Sequence, residues 1–387
     1  MIPYGKQDIN QSDIDAVINV LKSDFLTQGP QVPLFEKIVA DYCGSKYGVA
    51  VNSATSALHI ACLALGLGKG DYLWTSPNTF VASANCGLYC GAKVDFVDID
   101  PLTYNLSPKE LEKKLIQAKQ DDKLPKVVIP VHFAGQSCDM QKIHSLSQEY
   151  GFKIIEDASH AIGGMYLGKS IGGCQYSDIT VFSFHPVKII TTAEGGLATT
   201  NDNNLLERMQ LFRSHGVTRN PKLTTKQVEG RWHYQQVELG FNYRITELQA
   251  ALGISQMKRL DKFVELRHKY QIRYDKLLKD LPITLPYQDL NSYSALHLYP
   301  IQIKTNKLRS IRKEIFEVLW KNNIGVNIHY IPVHTQPYYE NMGFKVGDFP
   351  NAESYYSGAI TIPLFHGMTF EQQDIIVETL KNACLDE

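Results

Sequence analysis

Ile14, Val17, Ile18 and Leu21 recur at helical spacing behind Ser12 and Asp15, so the first predicted element is an amphipathic helix opened by a serine cap. A second helix start stands at Ser107-Pro108 with Glu110: a capping hydroxyl, a proline tolerated in the first turn, and an acid at the third position. Between and after these come short apolar runs rich in Val, Ile and Phe: VDFVDI (94–99), KVVIPV (126–131), KIIED (153–157) and ITVFSF (179–184). Helix-length segments such as MQKIHSLSQEYG (140–151) separate them. Strands alternating with helices predict an α/β fold, a largely parallel sheet with helices on both faces.

The pattern changes after Ile245. The segment from there to about Leu277 reads as one long helix, Pro282 and Pro286 break it, and LHLYPIQI (296–303) resumes as strand. The expected division is a large domain over 1–250, then a connecting helix and a smaller α+β domain over 251–387.

Composition narrows the class. The 387 residues allow two domains at roughly 150 residues each. A formal net charge of -1 argues against a broad nucleic-acid surface. The start, MIPYGKQDINQSDID, has no apolar signal region, and no apolar run approaches the roughly 18 residues of a membrane span. Neither nucleic acid nor membrane is an expected partner. Seven cysteines are scattered without a C-x-x-C, which fits a reduced, cytoplasmic setting. Cys86 and Cys90 fall on one face if their stretch is helical, but no histidine or second pair stands beside them. His329 and His334 are five apart, not one helical turn, so no metal site is expected.

Lys188 stands in SFHPVKIITTAEGG (183–196), between an apolar run and a glycine pair, where an ammonium is costly to bury. A lysine amine is a nucleophile toward a carbonyl cofactor. Pyridoxal phosphate requires such a lysine, an acid for its ring nitrogen, a phosphate cradle and a stacking side chain. Lys188, Asp157 at the end of KIIED, the 53–56 turn with Ser183, and Phe80 in SPNTFVASAN can supply all four. Taken singly, Asp157 is a helix cap, Lys188 a solvated loop lysine and NSATSA a helix start; their combination gives the reading its weight. GLGKG (66–70) lacks the spacing of a nucleotide loop and follows a helix, so it is a turn.

Nearly end to end, the chain resembles the DegT-type nucleotide-sugar aminotransferases, which are fold type I pyridoxal-phosphate enzymes. The matching stretches are LTQGPQVPLFE (26–36), NSATSALH (52–59), TSPNTFVASAN (75–85), EDASHAIGG (156–164), FSFHPVKIITTAEGG (182–196), LFRSHG (211–216), LGFNYRITELQAALG (239–253) and NIHYIPVH (327–334). NSATSALH, DASHAIG and SFHPVK…TTAEGG are most similar to the branch serving pseudaminic acid biosynthesis. The resemblance implies amination, from glutamate, of carbon-4 of a UDP-linked 4-keto-6-deoxy-N-acetyl hexose. Another UDP- or dTDP-linked keto-sugar is the alternative substrate, and a non-catalytic cofactor-bound regulator the alternative class.

The same resemblance gives the residues their roles. Lys188 is the cofactor-binding and catalytic lysine, Asp157 the partner of the ring nitrogen, and His160 the neighbour of the phenolic oxygen. Phe80 stacks on the ring. Thr55, Ser56 and Ser183 bind the phosphate, and Asn242 reaches it from the other subunit of a homodimer. Tyr4, the turn Leu26, Thr27, Gln28 and Gly29, and the run Asn327, Ile328, His329, Tyr330 and Ile331 match stretches lining the sugar-nucleotide pocket. His160 stands where many relatives carry Gln, and either side chain can hydrogen-bond.

Overall fold

The computed structural model describes residues 1–304 and 308–385. Strands β1 (Tyr47–Val51), β2 (Tyr72–Thr75), β3 (Lys93–Phe96), β4 (Val127–Ile129), β5 (Lys153–Asp157), β6 (Ile179–Ser183) and β7 (Gly196–Thr200) form one seven-stranded sheet. Their order is β1-β7-β6-β5-β4-β2-β3. Only β7 runs against its neighbours; the other pairings are parallel. The loop between β6 and β7 doubles back along the sheet edge, and that loop carries Lys188. Every residue of β6 and β7 is buried, as expected for strands covered on both faces.

Alternation along the strands sorts side chains into two layers. Val49, Ile155, Ile179 and Val181 join the core under α3 (Ala54–Ala64) and α4 (Ala82–Tyr89). Ala50 and Phe182 face the opposite layer under α2 (Gln31–Cys43) and α8 (Glu247–Met257). Val128 and Ile154 face α5 (Pro108–Gln120) and α6 (Met140–Tyr150) on that same side. Period-two alternation therefore turns Asp157 and Ser183 toward α3 and α4, and Glu156 away from them. Ser107 caps α5 with Pro108 in its first turn, as the sequence indicated.

A second, three-stranded antiparallel sheet has the order β8 (Ile283–Thr284), β9 (Tyr299–Ile303), β10 (Ala359–Ile362). It shares a core with α9 (Leu260–Leu278), α10 (Leu308–Lys321) and α11 (Phe370–Leu385).

Three local expectations need correction. The long helix is two, α8 and α9, because Arg259 leaves helical geometry at φ -113, ψ 0. Its guanidinium is held at 2.5 Å by both Asp8 and Asp13, a tertiary anchor that local periodicity does not encode. His297 and its neighbours precede β9 instead of belonging to it. In α1 (Gln11–Leu21) the cap is Asn10, reciprocated by Asp13, not Ser12. The predicted apolar face of α1 is also not buried: Ile14, Ile18 and Leu21 are 44%, 38% and 57% exposed. The helix packs on α8 through its other side, where Asp13 and Val20 are buried.

Candidate active site

The carboxyl ends of β5 and β6, the N-terminus of α3 and the Lys188 loop surround a cavity of about 930 Å³. Strand ends meeting a helix N-terminus are where open α/β sheets bind ligands. Ser53 caps α3 by accepting from the Ser56 amide at 3.1 Å. The amides of Ala54 and Thr55, in the first turn, have no intrahelical acceptor, which suits an anion. Strand β7 closes against this turn: a Cβ on Gly196 would stand 2.5 Å from the backbone of Ser53 and Ala54. Only glycine permits that approach.

Asp157 is buried and held from two directions. Ser83 of α4 donates to its Oδ2 at 2.6 Å, while the Ser159 hydroxyl and amide donate to Oδ1 at 2.6 and 3.1 Å. This fixes the carboxylate without a cationic partner and points it into the cavity that Lys188 also lines. The Lys188 amine is pushed down to about 8, because removal from water outweighs the opposing attraction of Asp157.

His160 is buried above them. Its Nε2 pairs with the Tyr330 hydroxyl at 3.0 Å, and its ring lies 4.5 Å from that of His297. Burial, and then the nearby Lys188 and His329, hold His160 well below the ordinary histidine range, so the ring is neutral. Its Nδ1 is buried without a partner. His329 is pushed down to about 3, first by burial and then by Lys188, and its Nδ1 pairs with Thr361 at 2.9 Å.

The structure gathers Tyr4, Thr55, Ser56, Phe80, Asp157, His160, Ser183, Lys188, Asn327, Ile328, His329 and Tyr330 around this cavity. It does not bring Leu26, Thr27, Gln28, Gly29, Asn242 or Ile331 into the same lining. Leu26 to Gln28 lie at the surface. Buried Glu247 shapes that turn: its amide donates to Leu26 O at 3.0 Å, and its carboxylate accepts from the Gln31 amide at 2.6 Å. Asn242 is exposed, although Tyr243 beside it accepts from the Asn52 amide at 2.9 Å.

Several lining residues were not singled out from sequence. Ser83 and Ser159 lie inside motifs already quoted, and Ser159, two residues after an acid, carries the local signature of an Asx turn. His297 and Gln249 carried no such signal, since one sat in an apparent strand and the other in an apparent helix.

Pyridoxal phosphate fits these residues. The unpartnered His160 Nδ1, the α3 amides and the buried Asp157 carboxylate are complementary to its phenolic oxygen, phosphate and ring nitrogen. A sheet with this single reversed strand, and a lysine on the loop that reverses it, define a fold type I aminotransferase. The chain belongs to the DegT/DnrJ/EryC1/StrS aminotransferase family, whose model matches residues 7–381, and members of that family are pyridoxal-phosphate enzymes.

The chain is 38% identical over 382 residues to a Campylobacter jejuni UDP-4-amino-4,6-dideoxy-N-acetyl-beta-L-altrosamine transaminase, covering 98% of this chain and 96% of the relative. It superposes on Helicobacter pylori PseC, an aminotransferase involved in the biosynthesis of pseudoaminic acid, with TM-score 0.91, 32% identity and 100% of both chains covered. Streptococcus pneumoniae Spr1654, a putative sugar aminotransferase solved in its PLP form, matches at TM-score 0.89 and 29% identity, with 100% and 99% covered. Among the described residues no helix is long and apolar enough to cross a membrane, and no cluster could hold a metal ion.

Proposed function

We propose that this chain moves an amino group from glutamate to carbon-4 of a UDP-linked 4-keto-6-deoxy-N-acetyl hexose. The carrying observation is that Lys188, Asp157 and the 53–56 turn converge on one cavity, in a chain 38% identical to a transaminase acting in that chemistry.

Bound pyridoxal phosphate supplies a carbon that carries the amino group and a ring that takes up an electron pair. Asp157, fixed by Ser83 and Ser159, would keep a proton on the ring nitrogen. The Ala54 and Thr55 amides, with the hydroxyls of Thr55, Ser56 and Ser183, would bind the phosphate. Ser56 Oγ donates to Asn52 Oδ1 at 2.7 Å and would turn its proton from there to serve an anion. His160 Nδ1 would serve the phenolic oxygen, and Phe80 would stack on the ring. Lys188 would hold the cofactor through its amine, and the freed amine would act as general base and acid, roles that a value near 8 suits. Tyr4 and Asn327 to Tyr330 form the wall against which the sugar nucleotide lies.

Residues 1–250 form the cofactor domain in this reading, and 251–387 the connecting helix and small domain. The working unit is a homodimer. Among the described residues Lys188 is the one lysine or arginine lining the cavity, yet the proposed substrates bring a diphosphate and carboxylates. A second copy adds uncharged hydrogen-bonding groups: it seats the exposed Ile14, Ile18 and Leu21 and carries Asn242 and the Leu26–Gly29 turn toward its neighbour's cavity.

A substrate panel tests the reading. Purified protein, glutamate and several UDP- and dTDP-keto-sugars are incubated, and products are weighed by mass spectrometry. The amino sugar should form fastest from the UDP-linked N-acetyl 4-keto-6-deoxy hexose. Preference for a dTDP-keto-sugar transfers the assignment to another aminotransferase of the family.

A further inference from the structure

Thr79, Ser83 and Asp157 are buried side chains that follow one another along the cavity lining. The Thr79 and Ser83 hydroxyl oxygens stand 2.7 Å apart, and Ser83 Oγ lies 2.6 Å from Asp157 Oδ2. Ser159 covers the other carboxylate oxygen through its hydroxyl and its amide. An ionised carboxylate has no proton of its own and about four acceptor sites. These donors take three of them and leave one for a group in the cavity. Each hydroxyl has a single proton, and that fixes the order of the chain. Ser83 gives its proton to Asp157, so Thr79 is the donor in the contact with Ser83.

We propose that Thr79 and Ser83 form a one-way hydrogen-bond relay that holds Asp157 as an anion facing the cofactor's ring nitrogen, with Thr79 acting as a positioning residue through Ser83. The inference rests on the cofactor reading of this cavity and not on the identity of the sugar.

The reverse order is poorly served. A protonated Asp157 would donate to Ser83, and the Ser83 proton would then need another acceptor. The Phe80 carbonyl is 3.4 Å away, beyond the usual length of an O–H···O bond. Thr79 Oγ1 is the other choice, but among the described residues the Thr79 hydroxyl has no further partner to take its own proton. The forward order satisfies all three groups at 2.6 and 2.7 Å, ordinary lengths for such bonds. Nor is Thr79 used as a helix cap, because α4 starts behind Val81 without any side-chain cap. Hydrogen bonds given to a carboxylate favour its charged form. A hydroxyl that itself accepts a hydrogen bond is a stronger donor. Thr79 therefore reaches Asp157 without touching it.

The experiment loads the protein with pyridoxal phosphate carrying an isotopically labelled ring nitrogen and follows the nitrogen chemical shift by NMR as pH rises. Ser83→Ala should lower the midpoint of ring-nitrogen titration by about one pH unit, the scale of one hydrogen bond to a charged group. Thr79→Val should lower it by about 0.3 unit. Thr79→Ser, which keeps the hydroxyl, should restore the wild-type midpoint. Borohydride fixing of the cofactor onto Lys188 is measured in every variant. Neutron diffraction of the wild-type holoenzyme reads the proton order without any substitution, and the Thr79 proton should point to Ser83. A Ser83 proton turned to Thr79 or to the Phe80 carbonyl overturns the relay. So does a Thr79→Val midpoint equal to wild type in protein that borohydride still labels. Wild-type protein that borohydride does not label overturns the cofactor reading, and the purpose of the relay with it.

Discussion

The strand-end cavity and the exposed face of α1 differ in one respect: a single chain's own contacts order the side chains of the first and leave the second open to solvent. In the cavity the central polar groups are held by neighbours. Asp157 accepts from two serines, His160 pairs with Tyr330, and half-buried Lys188 lines the cavity beside them. On the α1 surface, Ile14, Ile18, Leu21, Phe25, Leu26 and Leu34 all face solvent. Isolated exposed apolar residues are ordinary, but Ile14, Ile18 and Leu21 share one helix face, and such a stripe suits an interaction surface. The first region holds Lys188, Asp157 and His160 of one chain; the second is where a neighbour is proposed to dock.

The largest expected effect lies in the cavity. Lys188→Ala should fold normally and lose turnover by more than about 10³-fold, because it removes both the attachment point and the proton carrier. Borohydride should fix the cofactor onto Lys188 in wild type and not in this variant. Turnover near wild type would end the aminotransferase mechanism drawn above.

Asp157→Asn comes next, with a fall on the order of 10²-fold, the scale of losing one aligned electrostatic group. It also has a pH signature. The neutral Lys188 amine becomes more abundant as pH rises through about 8, so the rate of cofactor capture should climb to that point and flatten above it. Asp157 opposes the depression of Lys188, so removing its charge should move the midpoint lower. A profile unchanged from wild type, with turnover within about twofold, would reduce Asp157 to a structural cap.

On the other side of the comparison, Ile14→Asp with Ile18→Asp should leave the folded chain almost untouched. Exposed substitutions usually shift stability by no more than about 0.5 kcal/mol. The same pair should strongly weaken the proposed dimer in sedimentation. A dimer that survives unchanged would place the interface elsewhere. Phe80→Ala is expected to be mildest, with weaker cofactor retention and a folded protein, because its ring is largely exposed and supports little of the core.

The two regions were also unequally legible in the sequence. Asp157, Ser183 and Lys188 could be placed together because strand ends in an α/β sheet share an edge, and short apolar runs locate those ends well. The α3 turn was legible for the same reason. The face of α1 misled: helical spacing reports an apolar stripe but not what covers it, and here the chain's own core takes Asp13 and Val20 instead. The break at Arg259 was hidden because its cause lies in Asp8 and Asp13, some 250 residues earlier in the chain. Leu26–Gly29 and Asn242 came only from likeness to a family, and a single chain does not bring them to its cavity.

The most direct test of the shared site mixes two inactive variants, Lys188→Ala and Asn242→Ala, under conditions of subunit exchange. If Asn242 serves the neighbour's phosphate, each mixed dimer has one site with both lesions and one site with neither. Transaminase activity should then rise above that of either parent. If Asn242 serves its own chain, every site keeps one lesion and mixing restores nothing. Unchanged activity, with exchange shown by mass spectrometry, would contradict the shared site and leave only ordinary dimerisation.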